Sequence, residues 1–263
     1  MKTLVGFADA HVAPGQDLRR FDWLGRLIAD IKPDAIWNGG DLATCDSVSY
    51  FPVPFKEHTT LKDDVEIVVE AQARLFAPLD DLNKRRVMSK HGPHMPLRIC
   101  TMGNHEDRLN RRIRDDERGL GSVINPRSLF GYEKYWDSVC EYKEYIEYEG
   151  ILLTHAPING LGKPISGAYR GRQIAMQSAL SVLYGHTHKF DVSSVSLIGP
   201  LNLSRTSVNL PCFMEQDHVE SYAKKSATGW DYGLVIVKIF EPGKFTLNVM
   251  SMTELEHKYG DAK

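Results

Sequence analysis

The sequence is poor in features that identify membrane and secreted proteins. It has only 4 cysteines among 263 residues, and no two of them form a CxxC pair. Such spacing is typical of reduced thiols in a cytoplasmic protein rather than of a disulfide framework. The longest apolar runs, such as residues 233–237, are far shorter than the roughly 20 residues of a membrane-spanning helix. We therefore expect a cytoplasmic protein with no membrane partner.

The chain also lacks an excess of charge of either sign. Its 32 Lys and Arg residues nearly balance 34 Asp and Glu residues, so the formal net charge is −2. This balance removes the simplest argument for a protein that binds nucleic acid or membrane surfaces through a basic excess. A P-loop and a GxGxxG motif are both missing, so no nucleotide cofactor is expected. The hydrophobic fraction of 42% is ordinary for a soluble globular protein.

What the chain does have is an alternation of short apolar runs and longer amphipathic segments. The first half predicts buried strands at residues 3–8, 35–37 and 97–102, and helices at residues 16–31, 63–90 and 107–117, with residues 63–90 as one or two helices broken near Pro78. The second half predicts a hairpin around Glu149 and Gly150, a helix at residues 171–180, and further strands. This pattern favours an α/β fold with two sheets or one large mixed sheet.

Polar residues follow five of the predicted strands, at the point where each strand ends. In chain order these segments read Asp-Ala-His, Gly-Gly-Asp, Gly-Asn-His-Glu, Thr-His and Gly-His-Thr-His. Ligands in open α/β sheets bind outside the carboxyl ends of strands, so the five segments are expected to converge. The candidate metal ligands they supply are Asp9, His11, Asp41, Asn104, His155, His186 and His188.

The chemistry of these seven side chains predicts the kind of metal. They offer imidazole nitrogens, carboxylates and one amide oxygen, but no thiolate. This mixture suits Mn, Fe, Zn or Ni rather than Ca. Seven ligands are too many for one transition-metal ion and fit two ions that share a bridging carboxylate. Because the ligands extend from Asp9 to His188, we expect residues 1–263 to form a single domain.

The order of the five segments resembles that of the calcineurin-like metallophosphoesterase superfamily. The resemblance runs from Phe7 to about Lys189, and it implies a fold of two mixed β-sheets packed as a sandwich and flanked by helices. It also implies two divalent cations, with Mn as the first expectation. One ion would be held by Asp9, His11, Asp41 and His188, and the other by Asp41, Asn104, His155 and His186.

The same resemblance implies a hydrolase. A hydroxide bridging the two metals would attack the phosphorus atom of a phosphate ester. The residue that matches His105 is not a ligand in the family; it faces the substrate and assists the leaving group. The catalytic residues implied are thus His105, Asp41 and Asn104.

Arg108 follows the Gly-Asn-His-Glu segment closely and is a candidate contact to the substrate phosphate. Arg111, Arg112 and Arg114 continue from it at helical spacing. They could form a track for a polyanionic substrate, but a solvated helix face balanced by nearby acidic residues is the favoured interpretation.

The chain departs from the family pattern at one position. Many relatives carry an aspartate three residues after the bridging one, where it orients the catalytic histidine. Here that position is Thr44, and Asp46 is the nearest substitute. The segment between Asp41 and Asn104 is long, and a helical insertion near residues 55–95 is a candidate cap over the site.

These features predict a dinuclear metal-dependent phosphoesterase, first of all a phosphodiesterase or nuclease acting on nucleic acid or nucleotides. A small-molecule phosphomonoesterase is the alternative within the enzyme class. A phosphoesterase-like binding scaffold without catalysis is less favoured, because none of the ligands or His105 is missing.

Overall fold

The computed structural model describes residues 1–50, 59–198, 203–220, 223 and 228–260. The strands are β1 (Lys2–Phe7), β2 (Ala35–Asn38), β3 (Leu97–Thr101), β4 (Ser138–Cys140), β5 (Ile146–Tyr148), β6 (Ile151–Thr154), β7 (Ser181–Tyr184), β8 (Asp191–Ser196), β9 (Ser204–Asn209), β10 (Gly233–Glu241) and β11 (Lys244–Ser251). The helices are α1 (Arg19–Ile31), α2 (Leu61–Met88), α3 (Asp107–Asp115), α4 (Pro126–Leu129), α5 (Tyr132–Tyr135), α6 (Arg170–Gln177) and α7 (Met252–Tyr259).

The strands form two mixed sheets. The first has the order β11-β10-β1-β2-β3-β4, in which β1 to β4 are parallel and β10 and β11 are antiparallel to their neighbours. The second has the order β5-β6-β7-β9-β8, with β6, β7 and β9 parallel. The predicted α/β fold with two mixed sheets is confirmed.

The two sheets bury a shared core between them. Their facing side chains are Leu4, Trp37 and Ile99 from the first sheet and Leu153, Leu183 and Val208 from the second. The outer face of the first sheet is covered by α1, α2 and α7, which bury a second apolar cluster around Phe21, Leu24 and Leu75. Strands such as β2 are therefore buried on both faces, which is why they read as unbroken apolar runs.

Helix α2 is continuous through Pro78, where the sequence suggested a break. The Pro78 ring packs against α1 at Gly25, where an added Cβ would lie 2.8 Å from the ring. A proline inside a helix removes one backbone hydrogen bond. Leu75 and Leu79 extend this packing between α1 and α2. The packing offsets the loss of the backbone hydrogen bond at Pro78.

Part of the predicted insertion near residues 55–95 lies outside the described residues, namely 55–58. The remainder is dominated by α2, whose apolar side chains face α1 and the core. Its first turn approaches the loop after Asp41, where the Ser47 hydroxyl donates to Asp64 at 2.5 Å. A capping role for this segment and a single domain over residues 1–263 stay predictions.

No helix in the described part of the chain combines the length and the apolar character needed to cross a lipid bilayer.

Candidate metal centre and active site

The carboxyl ends of β1, β2 and β3 meet those of β6 and β7 at one edge of the two sheets. Each of these ends carries predicted ligands, because the chain turns directly after the strand. Two groups of donor atoms result. We call Asp9, His11 and His188 the Asp9 cluster, and Asp41, Asn104, His155 and His186 the His155 cluster.

The Asp9 cluster is fully buried. The Nε2 atoms of His11 and His188 face each other at 3.1 Å, and His188 Nε2 lies 3.3 Å from Asp9 Oδ1. Two imidazole nitrogens directed at each other beside a carboxylate form a set of converging lone pairs. Both Asp9 oxygens also accept a hydrogen bond from the His186 backbone N–H at 2.9 Å, so the two clusters share support.

In the His155 cluster, the His155 ring is oriented by a hydrogen bond to a residue outside the cluster. The His155 Nδ1–H donates to the Gly39 carbonyl at 2.8 Å, since a carbonyl can only accept. In the neutral ring this assignment places the lone pair on Nε2, which lies 3.1 Å from Asn104 Oδ1 and 3.3 Å from Asp41 Oδ2. The His186 ring lies at the other side of His155, with centroids 5.2 Å apart.

Asp41 occupies the middle of the site. Its Oδ1 accepts the His105 backbone N–H at 2.8 Å, which orients the carboxylate. Its Oδ2 then points inward, 3.8 Å from His11 Nε2 and 3.3 Å from His155 Nε2. One oxygen atom is therefore within reach of both clusters.

The backbone at the ligands is strained. Left-handed φ values, which cost about 1–3 kcal/mol for residues other than glycine, occur at Asp9 (54°), His11 (44°), Asp41 (48°), His186 (74°) and His188 (59°). Five of the seven predicted ligands share this conformation. Strain concentrated in this way is typical of sites that the surrounding fold holds in place for function.

Two glycines make room for the carboxylates. A Cβ at Gly103 would overlap the Asp41 carboxylate, and one at Gly185 would overlap that of Asp9. These glycines, which precede ligands in the sequence, therefore permit a close approach between neighbouring loops.

Burial and charge set the protonation of the imidazoles. Burial lowers the pKa of His186 to about 4 and that of His11 well below its usual value, which keeps both rings neutral. Burial also opposes protonation of His155, but the neighbouring Asp41 carboxylate outweighs it and raises the pKa of His155 to about 9. A cation bound at His155 Nε2 therefore competes with a proton.

Glu106 is a buried residue to which the sequence assigned no function. Its Oε2 accepts the backbone N–H groups of Asp41 at 3.1 Å and Gly103 at 2.8 Å. Its Oε1 accepts the Ala43 N–H and the Tyr132 hydroxyl, each at 3.0 Å. The carboxylate thus ties together the two loops that carry Asp41 and Asn104. Its place directly after Asn-His was the available signal, whereas nothing in the sequence marked Tyr132.

His105 is buried beside the two clusters, with its ring perpendicular to that of His11. Its Nδ1–H donates to the Thr44 carbonyl at 2.8 Å, and its Nε2 is 3.9 Å from Asp41 Oδ2. Burial lowers the pKa of His105, although Asp41 acts in the opposite direction. The donor atoms of His105, His11 and Asp41 are close enough to hold a cation. However, the Arg108 guanidinium stands 3.2 Å from Nε2 and disfavours a cation there.

The arginines of α3 are engaged in the protein itself. Arg111 pairs with Asp107 at 3.1 Å and donates to the Asn104 carbonyl. Arg112 donates to the carbonyls of Val48 and Ser49. These contacts support the structural interpretation of the arginine run over a phosphate track.

Two aromatic side chains that the sequence did not assign to the site border the clusters. The Trp230 ring meets the His188 ring edge-on, with centroids 4.5 Å apart. The centroids of the Tyr142 and His155 rings are 6.0 Å apart. Both rings pack against ligands and limit how far those imidazoles can turn.

The donor set fits divalent transition-metal ions. Imidazole nitrogens and carboxylate oxygens converge within 4.8 Å of one another in each group. The imidazoles of His11 and His186, which burial keeps neutral, offer lone pairs. The site thus contains the ligand types that Mn, Fe, Zn and Ni accept.

A family comparison agrees with this fold and site. The family model of the calcineurin-like phosphoesterases matches residues 2–190, which is most of the chain. The chain therefore belongs to this family and is a metal-dependent hydrolase of phosphate esters. No curated protein matches the chain.

Several solved structures are similar to this chain at low sequence identity. They include Vps29 of Entamoeba histolytica in complex with Zn²⁺ (9% identity, TM-score 0.37), TT1561 of Thermus thermophilus (8%, 0.46) and the phosphoesterase Yfce of E. coli (11%, 0.36). In each comparison 95% of this chain and 99% of the other chain are covered.

Proposed function

We propose that the chain is a dinuclear phosphoesterase in which Asp41 bridges two divalent cations. The Asp9 cluster together with Asp41 would hold one ion, and the His155 cluster the other. The observation that carries this proposal is the position of Asp41 Oδ2 between His11 and His155. Manganese is our first expectation for the ions, with iron, zinc or nickel as alternatives.

Two such cations, when bound, would offset charge on the phosphoryl group and make water acidic enough to react near neutral pH. The chain's own residues do the rest. Asp41 and Asn104 shape the site with one charged and one neutral oxygen. This limits the negative charge that an incoming phosphate ester meets.

His105 is placed to exchange a proton with the leaving oxygen. Its Nδ1 is used on the Thr44 carbonyl, so Nε2 is the atom that faces the Asp41 side of the site. As water bonds to phosphorus and the ester P–O bond breaks, the Nε2 proton of the protonated ring passes to the departing oxygen. This leaves the neutral ring with its proton on Nδ1.

We propose a phosphodiester as substrate, in a nucleic acid or nucleotide. The reason is the charge around the ligands. The cationic side chain next to His105 is Arg108, and its charge is paired with Asp46 at 2.7 Å. Glu220, which is 8% exposed, adds negative charge that acts on both Asp46 and His105. A diester carries one negative charge less than a monoester dianion and is therefore accommodated more easily.

A panel of esters tests this proposal. With added Mn²⁺, the protein should hydrolyse bis-p-nitrophenyl phosphate and either 2′,3′-cyclic nucleotides or DNA faster than p-nitrophenyl phosphate. Chelator should abolish turnover of every ester, and His105→Ala should abolish turnover of cyclic nucleotides or DNA, whose leaving oxygen needs a proton. His257→Ala, at an exposed position in α7, should do neither. Faster monoester hydrolysis would favour the phosphomonoesterase alternative. Two bound ions without turnover of any ester would indicate a binding scaffold.

The contribution of α3 to nucleic-acid binding can be measured separately. Because Arg111 and Arg112 are already bonded to the protein, replacing both with alanine should leave the salt dependence of DNA affinity unchanged. A slope lower by about 1–2 units would show that they contact phosphates.

Cytoplasmic location is part of the same proposal. Its support is that all four cysteines are buried free thiols, as expected in a reducing compartment.

A further inference from the structure

The family resemblance implies an aspartate that orients His105, and this chain has Thr44 at that position. The Thr44 backbone carbonyl accepts the His105 Nδ1–H at 2.8 Å. The Thr44 hydroxyl is buried and has no hydrogen-bond partner among the described residues. A single backbone contact through Nδ1 leaves the ring free to tilt about that bond, so a second contact is needed to fix it.

Arg108 supplies that second contact. Its Nη1 donates to the Thr44 carbonyl at 2.9 Å, and its Nη2 lies 3.2 Å from His105 Nε2. A carbonyl only accepts and a guanidinium only donates, so these partners assign the neutral ring as the Nδ1–H tautomer with its lone pair on Nε2. The arginine therefore touches the atom that exchanges a proton in the proposed reaction.

Asp46 holds Arg108 in this arrangement. Its Oδ1 accepts from Arg108 Nη1 at 2.7 Å, and the Arg108 side chain is only 12% exposed. A planar guanidinium can contact a carbonyl, a carboxylate and an imidazole at once, which an ammonium group cannot do in the same geometry.

We propose that the Arg108–Asp46 ion pair is the positioning element for His105. Asp46 acts on His105 through Arg108, since its carboxylate bonds to the guanidinium. This inference rests on the proposed function, in which His105 serves the leaving group.

The first test reads the His105 ring directly and does not depend on turnover. In zinc-loaded protein with ¹⁵N-labelled histidine, His105 is assigned by the signals lost in His105→Gln. We expect one sharp Nδ1–H signal that exchanges slowly with water in the wild type. In Arg108→Ala the signal should broaden and exchange faster, because only the Thr44 carbonyl then holds the ring. An unchanged pattern in Arg108→Ala would overturn the proposal.

The second test uses two diesters that differ in the leaving group. Arg108→Ala should lower kcat about 10- to 100-fold on a phenyl ester, as is usual for residues that orient a reacting group. It should change KM less than threefold. The loss on a p-nitrophenyl ester should be smaller, because p-nitrophenolate leaves without a proton. Arg114→Ala, a 64% exposed arginine of the same helix, is the matched control and should leave kcat unchanged.

Combining variants separates positioning from direct binding of the substrate. Asp46→Asn should lower kcat in the same direction, and adding it to Arg108→Ala should cause no further loss. In a His105→Gln background, Arg108→Ala should have no effect. A rise in KM in both backgrounds would mean that Arg108 binds the phosphate instead.

Further controls separate a misfolded variant, or an error in the proposed function, from an error in the role given to Arg108. Arg108→Lys provides a conservative second variant, and methylguanidinium should restore activity to Arg108→Ala. An unrescued, folded Arg108→Ala with a normal metal content counts against positioning. A wild type that turns over no ester would overturn the proposed function, while the ¹⁵N spectra would still decide whether Arg108 orients the ring.

Discussion

The Asp9 cluster and the His155 cluster use similar side chains but hold them differently. In the His155 cluster, the Nδ1–H of His155 is bonded to the Gly39 carbonyl. In the Asp9 cluster, the His11 Nδ1 is buried and has no hydrogen-bond partner among the described residues. A hydrogen bond to the ring nitrogen that does not face the metal orients an imidazole and raises its basicity. Loss of such a bond typically changes metal affinity by about 10- to 100-fold. If the two clusters hold one ion each, as proposed, this difference predicts two sites of unequal affinity.

The largest expected effect on metal affinity comes from replacing Asp41, which lies between the two clusters. Asp41→Asn should lower the affinity of both sites by about 100-fold or more, because it removes the charged oxygen that faces His11 and His155. Asp9→Asn should weaken one site and spare the other. Metal content per chain by mass spectrometry and calorimetric titration measures both. One ion bound at wild-type affinity in Asp41→Asn would show that the carboxylate is not shared.

The second largest effect is expected from replacing the Glu106 carboxylate, which should lower both stability and metal affinity. Glu106→Gln replaces one acceptor oxygen with an NH₂ group. If this group takes the place of Oε2, the N–H groups of Asp41 and Gly103 lose their acceptor; if it takes the place of Oε1, the N–H group of Ala43 does. We expect a loss of about 1–3 kcal/mol in unfolding free energy and a tenfold or greater loss of metal affinity.

Tyr132→Phe is the matched control for Glu106→Gln, since it removes just one of the four hydrogen bonds to the carboxylate. It should cost about 1 kcal/mol and leave metal affinity within a factor of three. Equal metal affinity in Glu106→Gln and wild type, measured by calorimetry, would show that Glu106 does not organise the ligands.

The unequal strength of the sites predicts the order in which metal leaves. In Co²⁺-loaded protein, chelator should remove the ion at the Asp9 cluster first, and the ion at the His155 cluster at about tenfold higher free chelator. The visible absorption of Co²⁺ follows the two steps, and His188→Ala and His186→Ala assign them. Loss of both ions in one step, or the reverse order, would refute the comparison.

The smallest effect is expected at the aromatic borders of the clusters. Trp230 contacts His188 and Tyr142 contacts His155, and an aromatic contact of this kind contributes about 0.5–1.5 kcal/mol. Trp230→Ala should therefore weaken the Asp9 cluster by a few-fold without changing the other, and Tyr142→Ala the reverse. Titration with Co²⁺ measures both; an equal effect of either variant on the two sites would contradict the assignment.

Much of the fold could be predicted because its central strands are apolar and end in turn residues. Residues 35–37 were predicted as a strand and lie within β2, and the hairpin at Glu149 and Gly150 was also confirmed. Helix α2 was less predictable, since whether Pro78 breaks it depends on packing against Gly25 of α1. Short elements such as β4 and α5 carry too few residues for a periodic signal.

The sequence by itself determined which side chains could serve as ligands and that they follow strand ends in the order of the calcineurin-like phosphoesterase family. The ligand types also predict the class of metal, because donor chemistry is a property of the residue. Only the tertiary structure decided how those side chains are oriented. Glu106 binds backbone N–H groups of a loop more than 60 residues away, and Arg108 reaches Asp46 across 62 residues. Such contacts depend on the directions of backbone groups, which no pattern of side chains along the chain encodes.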